Sequence, residues 1–342
     1  MKRTKLPAMV VIAAALSCPP ATAATWCVAS AGDLRAKLLV AANNGEDDTI
    51  KLVRGTYLVA GNEFSFNSTQ AFGLVVNGGF NPGCTSTNQD ARDTALDGGG
   101  TSQVLNITSP GSVALRYLTI RNGLRSGSSG GGLQMLGSTA SSQLTLAFNI
   151  LRDNTSDYAV GAAIIDGEGE MHINGNLVAG NRAPGNGGLY VYGGSTTNVY
   201  MTNNTFAGNT ASGGSGTIVF LNYRNPAAPS SFLANNIFWS NTASSDLSFY
   251  DGRSLLDHND YAVIDGAPAA GSIANTSVDP QFAGVGTFQL ARTSPLLGAG
   301  TLVPAGGLPG IDLEGHPRIW NGFVDFGAYE RGDRIFDDGF GP

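Results

Sequence analysis

The chain is poor in charge, and one kind of charged residue is nearly missing. Only 13% of its 342 residues are charged, lysine occurs just four times, and acidic residues outnumber basic ones by 26 to 19. The formal net charge of −7 excludes the broad basic surface that binds nucleic-acid phosphates. Apolar residues, in contrast, make up 42% of the chain, which is enough for a sizeable core and too much for a disordered protein.

Long apolar runs are also missing. The run at 8–16 is too short to cross a bilayer, and no later stretch reaches the length of a membrane helix without glycine, asparagine or charge. Three basic residues precede this run, and Ala-Thr-Ala follows it at 21–23. This pattern predicts a secretory signal peptide at 1–23 and an exported protein that is extracellular, on the outer surface or in the periplasm. A weaker lipoprotein-like box at 15–18 leaves lipid anchoring as an alternative.

Cysteine is scarce, with three residues in the whole chain. Cleavage of the signal peptide removes Cys18 and leaves Cys27 and Cys84. An exported chain with two cysteines most simply forms one disulfide, although two free buried thiols are the alternative. A disulfide that closes so long a loop stabilises the fold by about 4 kcal/mol on the chain-entropy model.

An internal repeat fills the middle of the chain. Four segments begin and end with asparagine, and their starts are 27, 28 and 32 residues apart: 149–154, 176–181, 204–209 and 236–241. Between them, small residues precede an aliphatic residue at 131–133, 162–164, 187–189 and 216–218. The short β-prone runs show no helical period. Self-similarity at such a period indicates a solenoid, and the blade signature of a propeller is absent.

One repeat per turn predicts an all-β fold, a single-stranded right-handed parallel β-helix of the pectate-lyase-like type. Neighbouring turns would lie about 4.8 Å apart with their strands paired in parallel. We expect the repeated asparagines to occupy turns and to stack as an amide ladder, because asparagine tolerates a left-handed backbone. We expect one interior column to consist of Leu133, Ile164, Leu189 and Ile218, and a second of 150/151, 177/178, 206 and 237/238.

Both ends of the solenoid are expected to be capped, because bare strand edges aggregate. Residues 24–60 predict an N-terminal cap with a short amphipathic helix at 33–42 and a strand at 49–54. The coils are predicted at 61–277. The period disappears afterwards, which predicts an irregular C-terminal cap at 278–331, followed by a short acidic tail at 332–342.

Several of these motifs resemble known exported proteins. The Phe-x-x-Asn elements at 206–209 and 238–241, alternating with Gly-Gly-Leu, resemble the repeats of polymorphic outer-membrane proteins and related secreted β-helix proteins. The motifs at 279–282 and 324–330 resemble the C-terminal region of choice-of-anchor β-helix proteins. The tail at 332–342 resembles terminal sorting or anchoring signals, with a frayed end as the alternative. The resemblance implies a bacterial exported protein and supports architecture more than chemistry.

Carboxylates at every second position suggest a metal site. Asp166, Glu168 and Glu170 alternate with glycine, which would place three oxygen ligands on one side of an extended segment, and oxygen ligands suit Ca²⁺. A solvated turn between coils is the alternative, and no other cofactor is predicted. Asp257 and Asp260 form a second acidic group in the last coil, where a polar turn explains them equally well.

Two sets of side chains on the coils suggest contact with sugars. Tyr190, Tyr192, Tyr200 and Tyr223 lie on adjacent coils and would stack on sugar rings if they project outward; aromatic ladders that pack for stability are the alternative. The second set consists of arginines. A guanidinium group can pair with an acidic sugar in a bidentate manner. The arginines of the early coils are Arg116, Arg121, Arg125 and Arg152, and capping of carbonyl groups is their alternative role.

No familiar catalytic motif is present. The sequence lacks a Gly-x-Ser-x-Gly elbow, an HExxH helix, an EF-hand loop and a P-loop. We therefore predict a non-catalytic module that binds a polysaccharide or another cell-surface component, without nucleic acid and without a transmembrane segment. The alternatives are a polysaccharide lyase or glycoside hydrolase acting on acidic polysaccharide, and an adhesin-like spacer. An enzyme would need Asp166, Glu168 or the Asp257–Asp260 group to share a groove with arginine.

Overall fold

The computed structural model describes residues 23–195, 197–214, 216–223 and 230–332. The first 22 residues of the predicted signal peptide and the predicted tail from residue 333 onward lie outside the described residues. Within the described part, the chain forms parallel strands stacked as a β-solenoid of about eight turns, with one α-helix. The prediction of an all-β parallel β-helix is confirmed.

Each turn contributes a strand to each of three parallel sheets. Sheet A contains Ala24–Val28, Asp48–Val53, Leu74–Phe80, Val113–Arg116, Leu144–Ala147, Met171–Asn174, Val199–Thr202, Ser231–Ala234 and Ser254–Asp257. Sheet B contains Gly55–Leu58, Thr94–Asp97, Thr119–Arg121, Ile150–Arg152, Leu177–Ala179, Thr205–Ala207 and Ile237–Trp239. Sheet C contains Phe64–Asn67, Leu105–Ser109, Leu133–Gly137, Ala163–Gly167, Asn186–Gly193, Thr217–Tyr223, Ser245–Phe249 and Ile264–Asp265. Between sheets B and C lies the short sheet D, formed by Leu124–Arg125, Thr155–Ser156, Arg182–Ala183 and Thr210–Ala211.

The N-terminal cap consists of the helix Ala31–Ala41 and the first strand of sheet A. Ser30 caps the helix, since its Oγ accepts a hydrogen bond from the Asp33 backbone N at 3.1 Å. The buried face of the helix presents Leu34 and Leu38 to the core. The predicted disulfide is confirmed: Cys27 of the first strand is bonded to Cys84.

The interior column of sheet C differs from its prediction at two positions. Leu133 and Leu189 occupy it as expected, but their register partners are Ala163 and Val219. Ile164 pairs with Gln134 and faces outward, because a shift of one residue along a strand reverses the face. Ile218 is buried, although it lies one residue out of register, beside an irregularity in the pairing after Asn186. The prediction was therefore wrong by one residue at Ile164 and Ile218.

The interior column of sheet B follows its prediction closely. Its members are the middle residues of three-residue strands, Ile120, Leu151, Val178, Phe206 and Phe238. The rings of Phe206 and Phe238 stack with centroids 4.6 Å apart. Because the middle residue of each strand faces inward, its first and third residues face outward. This alternation sets up the outer face described below.

Buried asparagines form two ladders along the corners of the solenoid, as predicted. One follows sheet A and consists of Asn149, Asn176, Asn204, Asn236, Asn259 and Asn275, whose Nδ2 atoms donate to the next Oδ1 at 2.8–3.2 Å. The other follows sheet B and consists of Asn154, Asn181, Asn209 and Asn241, at 3.0–3.2 Å. Each residue before a member of the first ladder has a φ of 51–65°. The side chains thereby pair the backbone groups that these tight left-handed turns leave free.

The C-terminal segment, residues 278–332, is irregular as predicted, but it lies along the flank of the solenoid. The Ala328 backbone N donates to Thr205 Oγ1 at 3.0 Å, and Asn203 Nδ2 donates to the Asp325 carbonyl at 2.9 Å. Further along, the guanidinium of Arg92 pairs with Glu314 at 2.9 Å. The segment packs on the outward-facing first residues of four sheet B strands, Ile150, Leu177, Thr205 and Ile237.

Candidate functional site

A groove of about 740 Å³ lies between sheet B and the C-terminal segment. The third residues of the sheet B strands form its floor, and the first residues Thr119, Ile150 and Leu177 also line it. Residues 282–289 and Tyr329 form its wall. The floor consists of one residue from each of five successive turns, which are register partners: Arg121, Arg152, Ala179, Ala207 and Trp239.

The floor changes character along the solenoid. Two arginines occupy one end, two alanines the middle and a tryptophan the other end. Ala179 and Ala207 keep the middle open, since neither side chain extends beyond Cβ. Successive turns are about 4.8 Å apart, so Arg152 and Trp239, three turns apart, are separated by about 14 Å. The groove is therefore long enough for an extended ligand.

Arg121 is held in a fixed orientation at the basic end. Its Nε donates to Asp97 Oδ2 at 2.7 Å, and Asn122 and the Gly99 backbone N donate to the same carboxylate. Burial raises the pKa of Asp97, but the hydrogen bonds from Gly99, Asn122 and Arg121 outweigh it and hold the pKa below its usual value. Asp97 thus stays charged and orients Arg121, whose two terminal amino groups have no hydrogen bond to a described residue.

Arg152 is the less constrained of the two floor arginines. Its ionic partner is the neighbouring Asp153, with 3.8 Å between Nε and Oδ2, and both side chains are about half exposed. The guanidinium of Arg152 makes no hydrogen bond to a described residue. Arg92, which also lines the groove, forms ion pairs with Asp90 and Glu314. Among the arginines that line the groove, Arg152 therefore has the guanidinium with the weakest contacts to described residues.

Aromatic side chains line the last position of the floor and the wall of the groove. Trp239 closes the floor and is partly exposed. In the wall, Phe282 and Phe288 meet edge to face with ring centroids 5.6 Å apart, and Tyr329 is nearly buried against the floor side. Flat aromatic faces combined with a few polar groups are typical of sites that bind ring-shaped ligands.

A buried charge cluster supports the wall. The wholly buried Arg318 donates to the carbonyl groups of Gly327 and Ala328 at 3.1 and 2.9 Å, and lies 3.6 Å from Glu330. These bonds fix the backbone just before Tyr329. Burial, and then the neighbouring Asp325, raise the pKa of Glu330 to about 8, against the opposing effect of Arg318. Burial likewise raises the pKa of Asp325.

In the described residues, one group of three side chains has metal-ligand spacing, and it lies in the C-terminal segment rather than at the predicted position. Asp312, Glu314 and His316 have ligand atoms within 4.8 Å of one another. Asp312 Oδ1 accepts hydrogen bonds from the backbone N atoms of Glu314 and His316 at 2.9 and 2.7 Å. Because these bonds shape a turn, the cluster has a structural explanation without an ion.

The predicted calcium ligands do not converge in the same way. Asp166, Glu168 and Glu170 lie at the end of a sheet C strand and in the turn that follows it. They do not form a group whose ligand atoms all lie within 4.8 Å of one another. Calcium binding at these residues remains a prediction.

The four predicted sugar-binding tyrosines lie on different faces. Tyr190 and Tyr192 project outward from sheet C with ring centroids 6.3 Å apart. Tyr200 projects from sheet A and stacks between His172 and Phe232. Tyr223 contradicts the prediction: it is 6% exposed, and burial raises its pKa. It shares the inward face of its strand with Val219 and Leu221 because it follows them at every second position.

The structure brings together two of the four predicted arginines. Arg121 and Arg152 line the groove, whereas Arg116 lies on sheet A and Arg125 on sheet D. The carboxylates proposed for an enzyme, Asp166, Glu168, Asp257 and Asp260, do not line it. Asp260 is buried and accepts hydrogen bonds from Thr276 and Val278.

Sequence reasoning missed four residues of the groove: Arg92, Trp239, Phe288 and Tyr329. Trp239 had a usable signal, because it occupies the same position of the repeat as Arg152. The other three belong to parts without the repeat. None of the helices in the described residues has the length and apolar character needed to span a membrane. No protein-family model and no curated protein sequence matches the chain.

Proposed function

We propose that the protein is an exported, non-catalytic module that binds glycan through the groove between sheet B and the C-terminal segment. The observation that carries this proposal is the graded floor, with guanidinium groups at one end, a tryptophan at the other and alanines between. Guanidinium forks suit sugar hydroxyl and carboxylate groups, and aromatic faces suit the apolar faces of sugar rings. The volume of about 740 Å³ falls in the range of small-molecule sites.

The rigid scaffold supports binding by a preformed site. Each floor residue lies in a strand that pairs in parallel with its neighbours, and the strand of Trp239, the last of sheet B, pairs on one side. A preorganised surface loses little conformational entropy when a ligand arrives. The Cys27–Cys84 disulfide supports export, because disulfides form and persist in oxidising compartments.

The composition of the groove supports binding rather than hydrolysis. Paired acid and base chemistry on a glycosidic bond requires two carboxyl groups. Asp153 is the single carboxylate among the described residues that line the groove. A polysaccharide lyase remains the alternative that the experiment must address.

The binding test uses a panel of immobilised oligosaccharides and a variant that fills the groove. Ala207→Trp places an indole in the middle of the floor, and we expect it to abolish binding. Gln134→Trp is the matched control, since it adds the same side chain to the outward face of sheet C. Both variants are first compared with the parent protein by circular dichroism and thermal unfolding. Failure of the parent protein to bind any glycan, or undiminished binding by Ala207→Trp, contradicts the proposal.

The enzymatic alternative has its own assay. The protein is incubated with uronic-acid polymers, with and without Ca²⁺, and ultraviolet absorbance is followed for unsaturated chain ends. We expect no turnover. Sustained formation of unsaturated ends that is lost in Ala207→Trp overturns the non-catalytic proposal and assigns lyase activity to the groove.

A further inference from the structure

We infer that the groove selects an anionic glycan, which places one acidic group between Arg121 and Arg152 and extends its remaining rings over the alanines to Trp239. This inference rests on the proposed function and names the ligand class of the same site. The acidic group is a carboxylate or a sulfate, since both offer several oxygen acceptors to a guanidinium.

The two arginines form a site for one anionic group. They are register partners on neighbouring turns, so their Cα atoms are about 4.8 Å apart. Asp97 fixes Arg121 through Nε, which leaves both terminal amino groups available for a ligand. The guanidinium of Arg152 makes no hydrogen bond to a described residue, so its donors are available as well. Two guanidinium groups at this spacing can donate to different oxygens of one acidic group.

The charge balance argues for one acidic group rather than a polyanion. Arg92 is neutralised by Asp90 and Glu314, and the charge of Arg121 is shared with Asp97. The contact of Arg152 with Asp153 is long and exposed, and such pairs are weak. Arg152 therefore supplies the main uncompensated positive charge of the groove, in a chain of net charge −7. A densely charged polymer would gain one attraction here and meet repulsion elsewhere.

The length of the groove argues for an oligosaccharide. The alanine positions separate Arg152 from Trp239 by about 14 Å. A monosaccharide held at the arginines does not reach the tryptophan. The acidic sugar and the sugar stacked on Trp239 are therefore different units of one chain, and the two ends of the groove contribute to binding through different chemistry.

The test compares charged ligands with a neutral one of nearly the same shape. The probes are a methyl-esterified oligogalacturonate that keeps one free carboxylate, its fully methyl-esterified form and a neutral oligosaccharide of the same length that carries one sulfate group, each titrated calorimetrically. The variants are Arg152→Gln, Arg121→Gln and Trp239→Ala. Arg182→Gln is the control, because Arg182 is exposed on sheet D outside the groove. Thermal unfolding verifies that each variant is folded.

We expect Arg152→Gln to weaken the preferred charged ligand at least about tenfold and the methyl ester less than about twofold, because hydrogen bonds to charged groups are the stronger ones. Arg121→Gln should act in the same direction. Trp239→Ala should weaken the charged and esterified ligands by similar factors, and Arg182→Gln should change neither. Which charged probe binds more tightly distinguishes carboxylate from sulfate.

The other outcomes separate this inference from the proposed function. Equal affinity for the charged and esterified ligands, unchanged by Arg152→Gln, overturns the anionic class and leaves glycan binding intact. Absence of binding to every glycan overturns both. Tighter binding of a glutamate-rich peptide than of any glycan, lost in Arg152→Gln, shows that the arginine pair serves an acidic peptide and also overturns the inference.

Discussion

The repeating coils and the C-terminal segment are stabilised by different kinds of contact. In the coils, the stabilising contacts recur from turn to turn: interior apolar columns, strand pairing and, from Asn149 onward, ladders of uncharged amides. The segment has no recurring contact, and its interior contains a guanidinium surrounded by carboxylates. The groove lies where these two kinds of structure meet. The repeat supplies an evenly spaced floor, and the irregular segment supplies a wall that the repeat alone does not make.

The largest effect on the coils is expected when one member of the amide ladder is removed. Asn204→Ala leaves the backbone N of Asn176 and the carbonyl of Ile173 without their side-chain partner. Two buried backbone groups without partners cost about 2–6 kcal/mol of unfolding free energy. Denaturant unfolding measures this loss, which should affect the whole solenoid.

The matched control for the ladder is Asn106→Ala. Asn106 is partly exposed on the outward face of sheet C and makes no side-chain hydrogen bond to a described residue. Its loss should change the unfolding free energy by no more than about 0.5 kcal/mol. Equal losses for the two variants would show that the ladder adds nothing beyond an ordinary asparagine.

Arg318→Met should break the segment instead of the solenoid. It removes the buried cation that faces Asp312, Asp325 and Glu330, and breaking such a buried pair costs about 3–5 kcal/mol. We expect the segment to detach and become sensitive to protease while the circular dichroism of the coils persists. Arg182→Met, an exposed arginine on sheet D, is the control. Simultaneous loss of coils and segment would show that the two regions unfold as one unit.

A change of pH should affect the stability of the C-terminal segment, but by less than the two substitutions above. The pKa of Glu330 is raised from 4.5 to about 8 in the folded protein, so the folded state retains a proton that the unfolded state has released. The stability contributed by this proton is complete below pH 4.5 and is lost as the pH rises through 8. Docking of the segment should therefore weaken between pH 5 and 9, as measured by limited proteolysis.

Glu330→Gln is the control for this pH effect. The amide cannot ionise, and its oxygen can still accept the hydrogen bond from the Asp325 backbone N. The variant should show a flatter pH profile between pH 5 and 9. An unchanged profile would assign the effect to another group of the cluster, such as Asp325, whose pKa is also raised.

The smallest effect is expected on sheet C. Tyr190→Ala removes a partly exposed ring that packs against Phe220 and accepts a hydrogen bond from Asn222. We expect a modest loss of stability, of about 1 kcal/mol, and unchanged glycan affinity, because this face is separate from the groove. A loss of glycan binding as large as that of Trp239→Ala would move the site to the aromatic residues that the sequence first suggested.

The sequence predicted the periodic structure because each element recurs. Four copies were enough to place the asparagine ladders and the sheet B column, and the disulfide followed from the two remaining cysteines. The errors were of one residue: Ile164 was preferred over Ala163 because it is larger, although the pleat decides which of two neighbours faces inward. Tyr223 follows Val219 at an even spacing, which places it on the inward face of its strand, contrary to its prediction as a sugar-binding residue.

The candidate site was only half predictable. Arg121 and Arg152 were identified, and the repeat alignment contained Trp239 as the equivalent position three turns after Arg152. The position of the wall could not be predicted from the sequence. The segment that carries it is held by contacts between residues far apart in the chain, such as Asn203 and Asp325, and it contains no repeat that could be aligned with the coils. The segment was therefore expected at the end of the solenoid and was found along its side.

The floor of the groove has an arithmetic property. Each turn of the solenoid adds one residue to the floor, so the distance between Arg152 and Trp239 is a whole number of turn spacings. Duplication of the repeat that carries Ala179 would move Trp239 away from Arg152 by about 4.8 Å, and deletion would bring them closer by the same step. For the proposed glycan ligand, the length that spans Arg152 and Trp239 would therefore change in steps of one repeat when a repeat is duplicated or deleted.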